Sequence, residues 1–270
     1  MKKIKESFEY ISNLNIESLI KSIEINKEII NHVKVIKEGG EEKISNKVKD
    51  KLKNDDAYKV KFNKFCENLY FTYLYDEIIM ANKIIKSMFP FDTYRKYDYY
   101  KAYLGSVEAE IKAGNLKEGD KIIFIGSGPL PISLIMMYEH FGIESIGIEI
   151  IPKVAELSRK LIRSLKLSDN IEIVTGDHFS IKTTENIKHV IVALAAEPKD
   201  EILQWLRPIL SKNTSMSYRF SENPKLEGKL KELINNSKRR YREYDGYKTI
   251  RIIKPAPPTT NIIAVVEPIS

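Results

Sequence analysis

The spacing of apolar and polar residues divides the chain into two parts of different character. In the first part, isoleucine and leucine recur every three or four positions among lysine and glutamate, as in residues 16–36, which predicts amphipathic helices. A second helix is predicted over about residues 62–87, and a third over residues 92–113 with Asp92 as its N-cap. The turn-rich segment AGNLKEGD follows. We therefore predict an all-helical N-terminal domain at residues 1–116.

From Lys121 onward, short apolar strands alternate with amphipathic helices. The predicted strands are KIIFIGSG, ESIGIEI, NIEIVTGD and HVIVALAA, with helical patterns after the first, second and fourth. TSMSYRF and TNIIAVVEP are interpreted as later strands. Strands that alternate with helices indicate βαβ units, which form a parallel sheet with helices on both faces. The sequence thus predicts an α/β fold with a Rossmann-like domain at residues 117–270.

Composition narrows the class of protein further. Hydrophobic residues make up 43% of the 270 positions, enough for a substantial core, yet no apolar run is long enough to span a membrane. One cysteine, Cys66, and four scattered histidines form no metal-ligand pattern. Basic and acidic residues are interleaved apart from one basic cluster at residues 238–242, so we expect no nucleic-acid partner. The N-terminus lacks a secretory signal, which favours a cytoplasmic protein.

The candidate binding chemistry begins in the loop after the first predicted strand. Its GSG segment suits a tight turn whose backbone N–H groups and following helix face a nucleotide-like ligand. A dinucleotide site favours a third glycine, but PLP follows here, and proline has no N–H group for a pyrophosphate. A ligand without phosphates, such as S-adenosylmethionine, suits this loop better. The predicted cofactor contacts in the loop are Gly126, Ser127, Gly128, Pro129 and Leu130.

Further candidates lie at the carboxyl ends of the next strands, which share one edge of the sheet. Glu149 ends the second strand, where a carboxylate can accept both ribose hydroxyls, although it could instead cap the helix that begins at Pro152. Asp177 ends the third strand at the same edge. The remaining predicted cofactor contacts are Gly176, His178, Ala193, Leu194 and Ala195. For His178, helix capping is an equally good interpretation.

Four segments together resemble nicotianamine synthase, in its archaeal branch more than in the plant enzymes. They are FIGSGPLPISLI, EIIPKVAELSRKLI with the preceding Gly147, IVTGD and VALAAEPK. The likeness runs from about Asn68 to the C-terminus, and GSGPLP is its most specific element. The wider group includes aminobutanoyl transferases that make opine-type metallophores. The resemblance implies a Rossmann-like domain of the S-adenosylmethionine-dependent methyltransferase type beneath the helical N-terminal domain.

The resemblance also implies a reaction and its catalytic residues. The family attacks the γ-carbon of the methionine part of S-adenosylmethionine, transfers a 2-aminobutyrate unit to an amine and releases methylthioadenosine, with no metal. The amine arrives as an ammonium, so a base must take a proton. Alignment around FPFDTYRKYDYYKAY places the family's catalytic glutamate at Glu77 and its catalytic tyrosine at Tyr103. A helix-surface carboxylate without a role is the alternative for Glu77.

Substrate contacts are predicted at three further residues. Arg219 occupies the family's arginine position and could pair bidentately with a substrate carboxylate, with a surface salt bridge as the alternative. Tyr99 and Tyr100 belong to a cluster of five tyrosines, which suits hydrogen bonds or cation–π contacts with an amino-acid-derived substrate. Ordinary core packing explains tyrosines at helical spacing as well.

Other functions remain open on the sequence alone. A small-molecule S-adenosylmethionine-dependent methyltransferase is the main alternative, whereas ALAAEPKD lacks the D/N-P-P-Y/F tetrad of enzymes that methylate base nitrogens. A non-catalytic cofactor-binding or RNA-binding protein is a second alternative, and a dinucleotide oxidoreductase is disfavoured by the prolines of the loop. We expect small-molecule partners only, namely S-adenosylmethionine and an acceptor such as the amino acid glutamate, with no membrane partner. The sequence leaves a homodimer open.

Overall fold

The computed structural model describes residues 6–7, 9–11, 13–14, 31–32, 55–221, 243–259 and 261–269. Most of the predicted helix at 16–36 and the whole basic cluster at 238–242 lie outside these residues. By their contacts, the described residues up to Ile79 group in one compact unit and those from Met80 onward in a second. The domain boundary expected after residue 116 stays a prediction.

Three helices precede the sheet in the continuously described part of the chain. They are α1 at Asp56–Ile85, α2 at Pro90–Arg95 and α3 at Tyr100–Gly114. The prediction of one helix over residues 92–113 is wrong, because a turn separates α2 from α3. Asp92 is also not an N-cap. Phe89 holds that position and Pro90 follows it, so Asp92 lies in the first turn, where the helix dipole favours an acidic side chain.

Seven strands of the described residues form one sheet. They are β1 at Lys121–Ile125, β2 at Glu144–Glu149, β3 at Ile171–Thr175, β4 at His189–Val192, β5 at Ser215–Ser221, β6 at Tyr247–Ile253 and β7 at Asn261–Pro268. The spatial order is β3-β2-β1-β4-β5-β7-β6. The first five strands in this order are parallel, which confirms the predicted parallel sheet, while β7 runs antiparallel to both β5 and β6.

The crossover helices follow the predicted strands. They are α4 at Ile132–Phe141, α5 at Pro152–Ser164 and α6 at Lys199–Leu206, and short 3-10 turns lie at His178–Ser180 and Arg207–Ile209. Strand β6 was not predicted. Among the strands of the described residues, it pairs only with β7. Its exposed positions include Ile250 and Ile252 as well as Lys248, so it lacks the apolar alternation of a half-buried strand.

Apolar residues pack on both faces of the sheet, and successive residues of a strand point to opposite faces. Ile123 and Ile125 of β1 belong to the main apolar cluster, together with Ile202 and Leu206 of α6. On the opposite face, Ala109 and Ala113 of α3 pack with the β7 residues Ile263 and Val265. Strand β1 lies between β2 and β4, so the chain reverses its direction across the sheet there. Open α/β sheets bind ligands at the carboxyl ends of strands beside such a reversal.

None of the helices in the described ranges combines the length and apolar character needed to cross a bilayer.

Candidate functional site

The loop after β1 is shaped by its own backbone. Gly126 and Gly128 have φ angles of 85° and 72°, a conformation that side chains with a Cβ rarely adopt. The N–H groups of Gly126 and Ser127 both donate to the carbonyl of Ile148, at 2.9 and 3.1 Å. The loop therefore folds against the end of β2. Pro131 then occupies the N-cap position of α4.

Glu149 joins this loop to the start of α5. One carboxylate oxygen accepts the N–H of Gly128 at 3.0 Å, and the other accepts the N–H of Ile151, the N-cap residue of α5, at 2.9 Å. The side chain is only 6% exposed. Burial raises the pKa of Glu149, while the N–H groups of Ile151, Gly128 and Ile150 oppose that shift. Glu149 therefore contacts the start of α5, as expected from its interpretation as a capping residue for that helix. The two carboxylate oxygens have more lone pairs than these three N–H groups use, so ribose binding stays a compatible prediction.

The end of β3 is fastened to the end of β2. The N–H of Gly176 donates to the carbonyl of Glu149 at 3.0 Å, and the Asp177 carboxylate accepts the N–H of Phe179 at 3.0 Å. Asp177 therefore caps the short turn at His178–Ser180. One of its two oxygens makes this bond, so the cofactor contact predicted for Asp177 is compatible with its structural role.

His178 is buried in this turn. Its ring lies 4.1 Å from the Phe179 ring, measured between centroids, and its Nε2 atom lies 3.6 Å from a carboxylate oxygen of Glu201. Within the described part of the chain, Nε2 has no hydrogen-bond partner. The capping role considered for His178 belongs instead to Asp177. A contact between His178 and the cofactor remains a prediction.

The loop after β4 lies directly against the glycine loop. A Cβ atom on Gly126 would lie 3.2 Å from the Cβ atoms of both Ala193 and Ala196. Ala193 is buried and its N–H donates to the carbonyl of Ile125 at 3.0 Å, whereas Ala195 is exposed. The predicted cofactor contacts after β1, β2, β3 and β4 therefore meet along one edge of the sheet.

Lys199 holds the loop after β4 and was missed by the sequence analysis. Its Nζ atom donates to the carbonyls of Leu194 and Ala196, at 2.9 and 3.1 Å, and to the Glu197 carboxylate at 3.0 Å. The side chain is 1% exposed. A buried lysine is rare unless it is paired, so this contact set marks a structural role. The sequence carries no signal for it, because lysine at the start of a helix usually lies in solvent.

Arg219 lies inside the protein, and its interpretation as a surface salt bridge is wrong. It is 3% exposed, and its Nε atom donates to the carboxylate of Glu110 at 3.0 Å. Glu110 is a residue of α3 that the sequence analysis missed. It lies seven residues after Tyr103, hence two helical turns away on the same face, and this spacing is a signal that could have identified it.

The predicted catalytic and tyrosine residues divide between the two compact units. Glu77 belongs to the first unit, on α1, where its half-buried side chain is followed along the same face by the buried Ala81 and Ile84. Tyr103 belongs to the second unit, on α3, and is half-buried. The catalytic roles of both residues stay predictions.

The structure separates the tyrosines of the cluster by their contacts. The Tyr97 ring lies 5.4 Å from the Tyr99 ring and 6.3 Å from the Tyr103 ring, measured between centroids. The Tyr100 hydroxyl instead hydrogen-bonds to Nε2 of His140, in the last turn of α4, at 2.9 Å. Tyr99 is thus grouped with Tyr103, whereas the Tyr100 hydroxyl is engaged by α4. Their substrate contacts remain predictions.

No cluster of three or more histidine, cysteine, aspartate or glutamate side chains arranged to hold a metal ion occurs among the described residues.

Comparison with known proteins identifies the family. The sequence model described as "Nicotianamine synthase protein" matches residues 1–269. A curated relative, L-histidine 2-aminobutanoyltransferase of Yersinia pestis, is 26% identical over 128 residues, which are 47% of this chain and 48% of that protein. The matched part therefore spans about half the length of this relative.

Two crystal structures of MtNAS share the fold of this chain. One is a glutamate-to-glutamine mutant in complex with S-adenosylmethionine, with a TM-score of 0.68, 23% identity, and coverage of 99% of this chain and 97% of MtNAS. The other is a complex with MTA and tNA, with a TM-score of 0.67, 21% identity, and coverage of 100% and 98%. They confirm the Rossmann-like α/β fold. With the family match over residues 1–269, the chain belongs to the nicotianamine synthase family.

Proposed function

We propose that this protein transfers a 2-aminobutyrate unit from S-adenosylmethionine to an amine acceptor and releases methylthioadenosine. The observation that carries the proposal is the family match over residues 1–269. Two further findings support it. The Yersinia relative is named for 2-aminobutanoyl transfer, and the MtNAS structures are complexes with S-adenosylmethionine and with MTA, the usual abbreviation of methylthioadenosine.

The carboxyl edge of the sheet suits the adenosine part of this substrate. The loop after β1 contains two prolines without N–H groups, which costs nothing for a ligand that has no phosphates. Glu149 is buried at the end of β2 and keeps lone pairs that could accept ribose hydroxyls. We propose that the remaining contacts come from the strand ends around it. These are Ser127, Pro129, Leu130, Gly176, Asp177, His178, Ala193, Leu194 and Ala195.

The proposed reaction is a substitution at the γ-carbon. The acceptor nitrogen forms a bond to this carbon while the bond from the carbon to the sulfonium sulfur breaks. The electron pair of the broken bond stays on sulfur, which becomes the neutral thioether of methylthioadenosine. Glu77 first takes a proton from the acceptor ammonium, because only the free amine has a lone pair for the attack. Tyr103 is proposed to orient the amine, since alignment of the reacting atoms lowers the barrier.

The acceptor is proposed to be an amino acid or a second S-adenosylmethionine, and Arg219 is proposed to bind a substrate carboxylate. The name of the Yersinia relative specifies histidine as its acceptor, while glutamate is another candidate here. Tyr99 and Tyr100 are proposed to contact the same substrate. We further expect a cytoplasmic protein without nucleic-acid or membrane partners, with a homodimer as one assembly to test.

A direct test of the proposed base is the Glu77→Gln variant, assayed for both methylthioadenosine and S-adenosylhomocysteine. We expect wild-type protein to release methylthioadenosine. We expect the variant to bind S-adenosylmethionine and to lose turnover by roughly 10²–10⁴-fold, the usual contribution of a general base. Calorimetry measures the binding, and chromatography of the two nucleosides measures the reaction.

The neighbouring acid provides a matched control. Asp76→Asn changes the same kind of group one position away on α1, and it should retain turnover. Equal activity of Glu77→Gln and wild-type protein would refute Glu77 as the base. Release of S-adenosylhomocysteine alone would instead favour the small-molecule methyltransferase.

A further inference from the structure

A chain of buried hydrogen bonds surrounds Arg219 on the face of the sheet covered by α3 and α4. Its members come from three elements besides β5, namely Glu110 from α3, Ser133 from α4 and His189 from β4. Each of these three side chains is at most 5% exposed. Buried charges are costly unless they are paired, so the arrangement of this group is tightly specified.

The donors and acceptors can be assigned along this chain. The Ser217 hydroxyl donates its one hydrogen to a carboxylate oxygen of Glu110 at 2.7 Å, so it must accept from Nε2 of His189 at 2.9 Å. The second oxygen of Glu110 accepts from Nε of Arg219 at 3.0 Å. Both oxygens of Glu110 are therefore engaged, and the carboxylate fixes one side of the guanidinium.

Glu110 is ionised in this network. Burial by itself would raise the pKa of Glu110, but the neighbouring His189 ring, the charge of Arg219 and the hydrogen bond from Ser217 outweigh it and hold that pKa below its ordinary value. An ionised Glu110 balances the charge of Arg219. The pair can then stay buried while further donors of the guanidinium serve another anion.

The guanidinium contacts a residue on each side of the glycine loop. Its central carbon is 5.0 Å from the centroid of the Phe124 ring, near the end of β1, and its Nη1 atom donates to Ser133, in the first turn of α4, at 3.1 Å. These are the two elements that the loop at residues 126–131 connects. The Nη2 atom is buried and has no hydrogen-bond partner in the described part of the chain. An unsatisfied buried donor is unfavourable, and a bound anion would satisfy it.

We propose that Glu110 and Ser133 are positioning residues, which hold the Arg219 guanidinium so that Nη2 donates to the α-carboxylate of an amino-acid group bound beside the glycine loop. This rests on the proposed function for the identity of the substrates. The carboxylate belongs either to the methionine part of S-adenosylmethionine or to the acceptor. Tyr103 lies on the same face of α3 as Glu110, two turns away, which places the proposed catalytic tyrosine and this subsite on one helix.

Comparing the affinities for S-adenosylmethionine and methylthioadenosine isolates the contribution of the carboxylate to binding. Methylthioadenosine retains the adenosine and a thioether but has no carboxylate. Calorimetry should compare the binding of S-adenosylmethionine and methylthioadenosine to wild-type protein, Arg219→Gln, Glu110→Gln, Ser133→Ala and the double variant at Glu110 and Arg219. Ser158→Ala is the control, since Ser158 is an equally buried helical serine whose hydroxyl has no partner among the described residues.

We expect Arg219→Gln to weaken S-adenosylmethionine binding roughly 10- to 100-fold, the effect of one charge-assisted hydrogen bond. Ser133→Ala should weaken it by roughly 2- to 10-fold, while methylthioadenosine binding stays unchanged. The double variant should bind no more weakly than Arg219→Gln, because Glu110 acts through Arg219. If the acceptor supplies the carboxylate, the same losses appear in the acceptor KM and not in S-adenosylmethionine binding.

Several results would overturn the proposal. Folded Arg219→Gln and Ser133→Ala proteins that change neither binding nor acceptor KM would do so, as would equal losses for both nucleosides. Losses that multiply in the double variant would give Glu110 an independent role. If Glu110→Gln does not fold, the positioning role is tested with Ser133→Ala, by the same comparison of S-adenosylmethionine and methylthioadenosine binding. A wild-type protein that released only S-adenosylhomocysteine would refute the proposed function. The binding test of Arg219 would still apply, because binding is measured without turnover.

Discussion

Two loops at the carboxyl edge of the sheet touch each other but are built in different ways. The loop after β1 takes its shape from glycines with positive φ and from prolines, all within its own sequence. The loop after β4 takes its shape from Lys199, whose ammonium group donates hydrogen bonds to two carbonyls and a carboxylate of the preceding segment. The first kind of loop is recognisable in a sequence, and the second becomes visible only when the side chain is seen inside the protein.

The comparison predicts different weaknesses in the two loops. A loop fixed by its backbone conformation should fail through strain when a glycine is replaced. A loop fixed by one side chain should fail through unsatisfied polar groups when that side chain loses its charge. Since the two loops are in contact at Gly126 and Ala193, a structural change in either loop should also disturb the proposed cofactor site.

The largest effect is expected from Lys199→Met. Methionine fills a similar space, but the carbonyls of Leu194 and Ala196 lose their ammonium donor, and the carboxylate of Glu197 keeps only the backbone N–H of residue 199. We expect a loss of roughly 2–4 kcal/mol in the free energy of unfolding, because buried polar groups without partners are costly. Urea denaturation measures it. Lys153→Met, at an exposed position of α5, is the control. Equal stability of the two variants would show that Lys199 does not hold the loop.

The next effect separates strain from contact in the loop after β1. Gly126→Ala places a Cβ at a φ of 85° and 3.2 Å from the neighbouring loop, whereas Gly119→Ala has a φ of 83° and meets no atom within 4 Å. We expect Gly119→Ala to cost about 1 kcal/mol of unfolding free energy and Gly126→Ala about 2–3 kcal/mol. Thermal denaturation compares them. Equal losses would mean that the contact between the two loops does not matter.

The smallest effect concerns Glu149 and pH. Its pKa is raised by burial, so lowering the pH from neutrality towards the ordinary value of 4.5 protonates Glu149 first in the native state. Over that window, this group makes the protein more stable as the pH falls, since the native state binds more protons than the unfolded one. S-adenosylmethionine binding should weaken over the same window, because a protonated carboxyl group offers fewer acceptors for ribose.

Glu149→Gln fixes this group in an uncharged form. At neutral pH, this variant should bind S-adenosylmethionine more weakly than wild-type protein does. Its affinity should also change less with pH, because Glu149 no longer titrates. Glu172→Gln, on an exposed position of β3, should keep the wild-type profile in calorimetric titrations. Identical pH profiles for wild-type protein and Glu149→Gln would contradict ribose binding by this carboxylate.

The sequence predicted the parallel strands and the glycine loop because both depend on local patterns. Apolar strands β1 to β4 alternate with helices, and Gly126 and Gly128 mark a turn that other residues cannot adopt easily. The exposed edge strand β6 has no such pattern and was missed. The break between α2 and α3 was missed because the tyrosine-rich segment continues a helical spacing through the turn.

Site residues could be predicted from the sequence only where their place at the end of a predicted strand indicates a role. Glu149 at the end of a strand could be identified, but its bonds to Gly128 and Ile151 depend on how the loop folds back. Glu110 and Arg219 are 109 residues apart, and their pairing follows from the packing of α3 on β5. Lys199 had no local signal at all. The sequence therefore did not reveal hydrogen-bond partners that are fixed by how a loop or helix packs, whether those partners are near or far along the chain.

The central claim is that the γ-carbon of S-adenosylmethionine is transferred and the methyl group is not. Two substrate preparations test it most directly, one labelled with ¹³C at the γ-carbon and one labelled at the methyl carbon. Nuclear magnetic resonance of the separated products should find the γ-label bonded to the acceptor nitrogen and the methyl label in methylthioadenosine. A methyl label on the acceptor, with S-adenosylhomocysteine as the other product, would contradict the account.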